Sequence, residues 1–172
     1  VRIYRQAVDW ALELNQTVTL LNTRGNHDED LSMVVNSMLS VFYEDQPRVC
    51  VLNNTSKFMH YQYHRVLLTS HHGDKGIKHQ RIYEYFTRNF PKLWGDTTQR
   101  YCHLGHIHHK QMLETGGAMT FESWNTLAAV DEYHHQAGYG SGRSMSAVIY
   151  DPVWGEIQRF RVGITQLYDE AA

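Results

Sequence analysis

A chain of 172 residues, 42% of them hydrophobic, is long enough for one well-buried core and too short for two comfortable domains, so a single domain over 1–172 is expected. A formal net charge of -2 and a pI near 6.7 exclude a global basic field, so sequence-independent binding to nucleic acid would need a local patch. No stretch reaches the roughly 20 apolar residues of a membrane span, and no basic-then-apolar signal segment opens the chain. Cys50 and Cys102 lie in apolar, strand-like runs without CxxC spacing, and read as buried free thiols of a reducing, cytoplasmic compartment.

From Ile3 to Leu14, the residues Ile3, Ala7, Trp10, Ala11 and Leu14 recur at helical spacing. They predict a helix with that stripe buried, Leu12 off the stripe, and Arg5, Gln6, Asp9 and Glu13 outside it. The run Thr17 to Leu21 predicts a strand ending in the turn Asn22-Thr23-Arg24-Gly25, which leaves Asn26 and His27 on a loop at the strand's C-terminal end. Asp28 or Asp30 can cap a second helix through Leu31, Val34, Val35, Met38, Leu39 and Phe42, with Pro47 marking the exit.

Short strands follow at Val49 to Leu52, Phe58 to Tyr63 and Val66 to Thr69. The last is nearly all apolar, which predicts a central strand that delivers His71 and His72 at its end. A helix is expected from Ile77 to about Phe90 with Ile82, Tyr83, Phe86 and Phe90 on its apolar side, ended by Pro91. Tyr101 to Leu104 runs as a strand into Gly105-His106-Ile107-His108, and further strands are expected at Met112 to Glu114, Met119 to Glu122, Met145 to Tyr150 and Ile157 to Val162. Early alternation of helix and strand followed mostly by strands suggests two sheets face to face, helices outside, with the histidine loops gathered at one edge.

Three histidine-bearing segments at strand ends carry the chemistry: Gly25-Asn26-His27-Asp28, His71-His72-Gly73-Asp74 and Gly105-His106-Ile107-His108. Imidazole with amide or carboxylate oxygen suits a divalent transition metal that activates water against a phosphate ester. Asn26 offers a neutral oxygen ligand, and His27 beside it remains free for proton or phosphate work. Of the pair His71 and His72, strand alternation sends one side chain each way, and the glycine after His72 favours it as the ligand. His106 and His108, two apart on an extended segment, project to the same side, while His103 and His109 read as peripheral.

These motifs resemble those of the calcineurin-like metallophosphoesterases, a superfamily of DNA repair nucleases, phosphodiesterases and phosphoprotein phosphatases. The resemblance spans most of the chain and implies an α/β fold of the four-layer α/β/β/α sandwich type, N-terminally incomplete here. It implies two divalent ions, commonly manganese, with iron, zinc or magnesium as alternatives. By this resemblance Asn26, His72 and His106 would bind one metal, His108 would bind the other, and His27, with Asn26, would form the catalytic pair acting on the scissile phosphate. Hydrolysis would proceed by in-line attack of metal-activated hydroxide.

The family's Asp-x-His and Gly-Asp-x-x-Asp segments do not occur before Gly25, and Asp9, mid-helix with no histidine after it, is a poor substitute. Without a bridging carboxylate two nearby cations repel, so this chain is expected to bind at most one metal weakly and to be inactive alone. Arg24, Tyr139 and Arg143 are candidates for phosphate or base contact, and Trp124, Tyr133, His134 and His135 for a cleft. The expected substrate is a phosphate ester, with DNA or a nucleotide foremost. Two other readings compete: a non-catalytic binding or assembly module on the same scaffold, and a structural zinc site built from His103, His106, His108 and His109 beside Cys102. No membrane partner is expected, and an open sheet edge would favour homo-oligomers.

Overall fold

The computed structural model describes residues 1–74, 76–106, 111–115, 118–127 and 143–169. The chain is a mixed α/β protein with several sheets, and it divides into two compact units, Val1–Met59 and His60–Ala172. No helix among the described residues is long and apolar enough to cross a membrane.

In the first unit, α1 (Arg2–Leu14) leads to β1 (Val18–Leu20), α2 (Glu29–Phe42) and β2 (Val49–Val51). The two short strands pair in parallel, Val18 opposite Val49 and Leu20 opposite Val51. Those four side chains meet Val8 and Leu12 of α1, Val35 and Leu39 of α2, and Tyr43 in one small core. Arg48 ties down the C-terminal end of α1: its guanidinium donates to the carbonyls of Leu12 (2.7 Å), Asn15 (2.6 Å) and Gln16 (2.7 Å), at and just beyond the last turn.

The faces of both helices differ from the sequence expectation. Ile3, Trp10 and Leu14 are 80%, 65% and 88% exposed, whereas Val8 and the off-stripe Leu12 pack inward. Arg5 and Asp9 turn toward α2: Tyr43 Oη donates to Asp9 Oδ1 (2.9 Å) and the Arg5 guanidinium lies 3.7 Å from the Phe42 ring centre. On α2, Leu31, Val34, Met38 and Phe42 are exposed, and Ser32 and Asn36 are buried with Leu39. Periodicity finds an apolar stripe but not what covers it. Cys50 is a second correction: both thiols are free, but only Cys102 is buried, because the two-stranded sheet has helices on one face and the alternation of β2 sends Cys50 to the other.

The second unit holds a five-stranded sheet in the order β3-β4-β5-β7-β6, from β3 (Met59–Tyr63), β4 (Val66–His71), β5 (Gln99–Leu104), β6 (Gln111–Thr115) and β7 (Met119–Ser123). Strands β4, β5 and β7 run parallel, and β6 is antiparallel to β7. The apolar β4 lies inside the sheet, with Val66, Leu67, Thr69 and His71 buried. Between β4 and β5 come α3 (His79–Asn89), which buries Ile82 and Phe86, and the short α4 (Pro91–Asp96). Pro91 opens α4 as well as closing α3, because a proline N-terminal in a helix lacks only an N–H that would be unbonded there. The helix α5 (Ile164–Asp169) at the end was likewise not expected from sequence.

The remaining pair, β8 (Ser144–Asp151) and β9 (Gly155–Gly163), forms an antiparallel hairpin. Its turn is shaped by Asp151, whose Oδ1 accepts from Val153 N (2.8 Å) and Trp154 N (2.9 Å), and by Gly155 at φ +80°. A Cβ at Gly155 would lie 2.4 Å from Tyr101 Oη and 3.1 Å from Gln99 Cβ. That hydroxyl cannot retreat freely, since it accepts Glu156 N–H at 2.9 Å. Gly155→Ala is expected to cost about 2 kcal/mol through backbone strain and this clash, measured by chemical denaturation; an unchanged midpoint would show that the turn relaxes without loss.

Candidate metal centre

Two adjacent parallel strands bring two of the histidine segments to one edge. In the β4–β5 register His71 stands opposite Leu104, so both strands release their chains together at their C-terminal ends. There Gly105 N donates to the carbonyl of His72 (3.1 Å), stitching one loop to the other. The His72 and His106 rings lie with centroids 5.1 Å apart, inclined at 70°.

Glycine makes this approach possible. Gly73 has φ +92°, and a Cβ there would sit 3.4 Å from the Gly105 carbonyl oxygen; one on Gly105 would sit 3.6 Å from His72 Nδ1. His106 itself has φ +65°, a left-handed conformation that costs an L-residue about 1–2 kcal/mol. On the other loop His71 is buried and uses Nδ1 to accept Gly73 N–H (2.9 Å), while His72 is half-buried beside His106.

In the first unit, the Asp28 carboxylate accepts Gly25 N–H (2.8 Å) and closes a short loop around Asn26 and His27. Asp28 also stands at the head of α2, but its side chain turns back to this loop instead of capping the helix. Asn26 is half-buried and His27 exposed. Arg24 donates to Met33 Sδ (3.0 Å) and to the Thr55 carbonyl, and Arg143 forks the Leu127 carbonyl at 2.9 and 2.6 Å, so both guanidiniums are engaged within the protein. His108, His109, Tyr133, His134, His135 and Tyr139 lie outside the described residues.

No family model, curated protein or solved structure matches the chain. Among the described residues no group of three or more histidine, cysteine or acidic side chains that could hold a metal ion is found, and His72 and His106 meet there as a pair of rings. Two imidazoles at parallel strand ends could supply part of such a group, since neutral histidine is a common ligand of zinc, manganese and iron.

His103, expected to be peripheral or one ligand of a structural zinc site, instead joins a largely buried polar network. Trp124 Nε1 donates to His103 Nδ1 (2.9 Å), so the ring's proton is on Nε2, which faces Tyr150 Oη at 3.2 Å. With both nitrogens engaged, His103 has no lone pair for zinc, and Cys102 is buried with its thiol pushed up to about 12; neither supports the structural zinc reading. The network continues through Arg159, whose guanidinium bonds Glu122 and Glu156 and lies 5.1 Å from the Trp124 ring centre. Its members come from β5, β7, β8 and β9, so no local spacing announces it.

Burial holds the His103 pKa below its ordinary 6.5; Glu122 and Glu156 pull it up and Arg159 pushes it down. A depressed folded-state value means that the unfolded chain takes the proton first. Stability is then full above 6.5 and falls as pH drops from there toward the folded value. His60 and His79, also lowered by burial, act in the same direction. His103→Gln removes only its own share, so its stability deficit relative to the parent should be smaller at pH 5.5 than at pH 7.5. Equal deficits at the two pH values would exclude the assignment.

Proposed function

We propose that this chain carries part of the metal centre of a calcineurin-like phosphoesterase, built on a four-layer α/β/β/α sandwich. The observation that carries this reading is the His72 and His106 pair, two imidazoles brought ring to ring at the ends of β4 and β5 with His106 in a strained backbone. Strain of this kind persists where the surroundings over-determine it, which is characteristic of functional sites.

In this reading His72 and His106 would hold one divalent ion; the family resemblance would add Asn26 to its ligands and assign His108 to a second ion. The ions, with manganese first and iron, zinc or magnesium as alternatives, would supply Lewis acidity at phosphorus and a nucleophile ionised near neutral pH. His27, exposed on its closed loop, would give a proton to the leaving oxygen. Because Arg24 and Arg143 are engaged with carbonyl oxygens, binding of substrate phosphate by either requires exchange of those partners. The substrate class is a phosphate ester, and a DNA phosphodiester is the first to test.

The test is calorimetric titration of the 172-residue chain with Mn2+ and Zn2+, alongside hydrolysis of bis-(p-nitrophenyl) phosphate. Weak binding at one site, lost in His72→Ala and in His106→Ala, with no turnover, is the expected result. Identical titrations for parent and variants would overturn the proposal in favour of a non-catalytic module, and turnover by this chain alone would refute the need for the two aspartate motifs.

A further inference from the structure

We infer that the outward faces of α1 and α2 form a dimer interface, and that the occupant is a second copy of this chain. At 100° per residue, Ile3, Trp10 and Leu14 fall on the far side of α1 from Val8 and Leu12, which face the core. On α2, Leu31, Val34 and Met38 fall on the far side from Ser32, Asn36 and Leu39. All six are more than half exposed. The helices are joined side by side by the Arg5–Phe42 and Tyr43–Asp9 contacts, so the two stripes belong to one two-helix layer.

The area fits a second copy. Side chains of this size, mostly bare, present on the order of 800 Å² of apolar surface, about what each partner contributes to a standard interface. A soluble monomer seldom leaves so large a patch open.

Charge selects the arrangement. Arg2 stands in the first turn of α1 and Glu13 in its last, and both are exposed beside the stripe. A two-fold axis at the middle of α1 lays it antiparallel on its mate and brings each Arg2 opposite the other copy's Glu13. The same operation on α2 offers no such pairing, since its first turn carries Glu29 and Asp30 and its last turn has no basic residue. Helix α1 is therefore the element at the axis, with α2 flanking it. This contact differs from pairing through an open strand edge, since it buries side chains and uses no backbone donors.

Sedimentation equilibrium of the full 172-residue chain at tens of micromolar decides the matter. The expected result is a species of twice 20.1 kDa. Trp10→Glu should convert it to monomer with an unchanged far-UV spectrum, because Trp10 is outside the core, and Met38→Glu is an independent check from the other helix. Arg2→Glu and Glu13→Arg should each weaken the dimer several-fold, and the double swap should restore it. A monomeric parent chain would assign the face to another partner and overturn the inference. A dimer indifferent to Trp10→Glu and Met38→Glu, or an assembly that keeps growing with concentration, would overturn it as well.

Discussion

Arg159→Met is expected to destabilise the second unit by about 3–5 kcal/mol, the range for removing one partner of a buried ion pair. The Glu122 side chain is only 4% exposed, against 18% for Arg159 and 26% for Glu156. When the guanidinium leaves, Glu156 can turn to water, but Glu122 cannot. Methionine replaces the arginine stem, so lost packing over Trp124 is a minor part of the cost. The effect should also propagate, because Arg159, Glu156 and Tyr101 tie the β8–β9 hairpin to the central sheet. Adding Glu122→Gln to Arg159→Met removes the buried charge and should recover part of the loss. Urea unfolding followed by near-ultraviolet circular dichroism measures each corner of the cycle. A loss below about 1 kcal/mol for Arg159→Met would mean that water reaches Glu122, as at an exposed pair.

That network also marks where sequence reading stops. The strands themselves were legible, since Val66-Leu67-Leu68 is apolar on both faces and turned out to lie inside the sheet. So were the two histidine loops that β4 and β5 deliver, because strand ends and glycine turns are local signals. By contrast, His103, Glu122, Tyr150 and Arg159 are brought together by pairings from 21 to 47 residues apart, which carry no periodicity. The helix faces were misread for a related reason. Helices α1 and α2 are apolar in more than one direction, and the choice of Val8 and Leu12 over Trp10 depends on where the narrow β1–β2 sheet lies. Pro91 was read as a stop when it is also a start, because one residue type serves both ends of adjoining helices.

His106 offers the sharpest separation of stability from function. Its φ of +65° is a conformation that glycine adopts freely and alanine does not. His106→Gly and His106→Ala both remove the imidazole and its contact with His72, so the difference between them reports the backbone alone. Without metal, the glycine variant should be more stable than the alanine variant by about 1 kcal/mol. Toward Mn2+ or Zn2+ the two should be alike, each losing tenfold or more in affinity, since even the outer partners of metal ligands are worth that much. His27→Ala, which leaves the proposed ligands in place, should bind metal as the parent chain does. Thermal unfolding with and without metal reads both quantities in one experiment, because a ligand that binds only the folded state raises the midpoint by an amount that grows with the logarithm of its affinity. If glycine and alanine proved equally stable, His106 would not be strained. If His27→Ala lost the metal shift along with the His106 variants, the division between ligand and proton donor would fail.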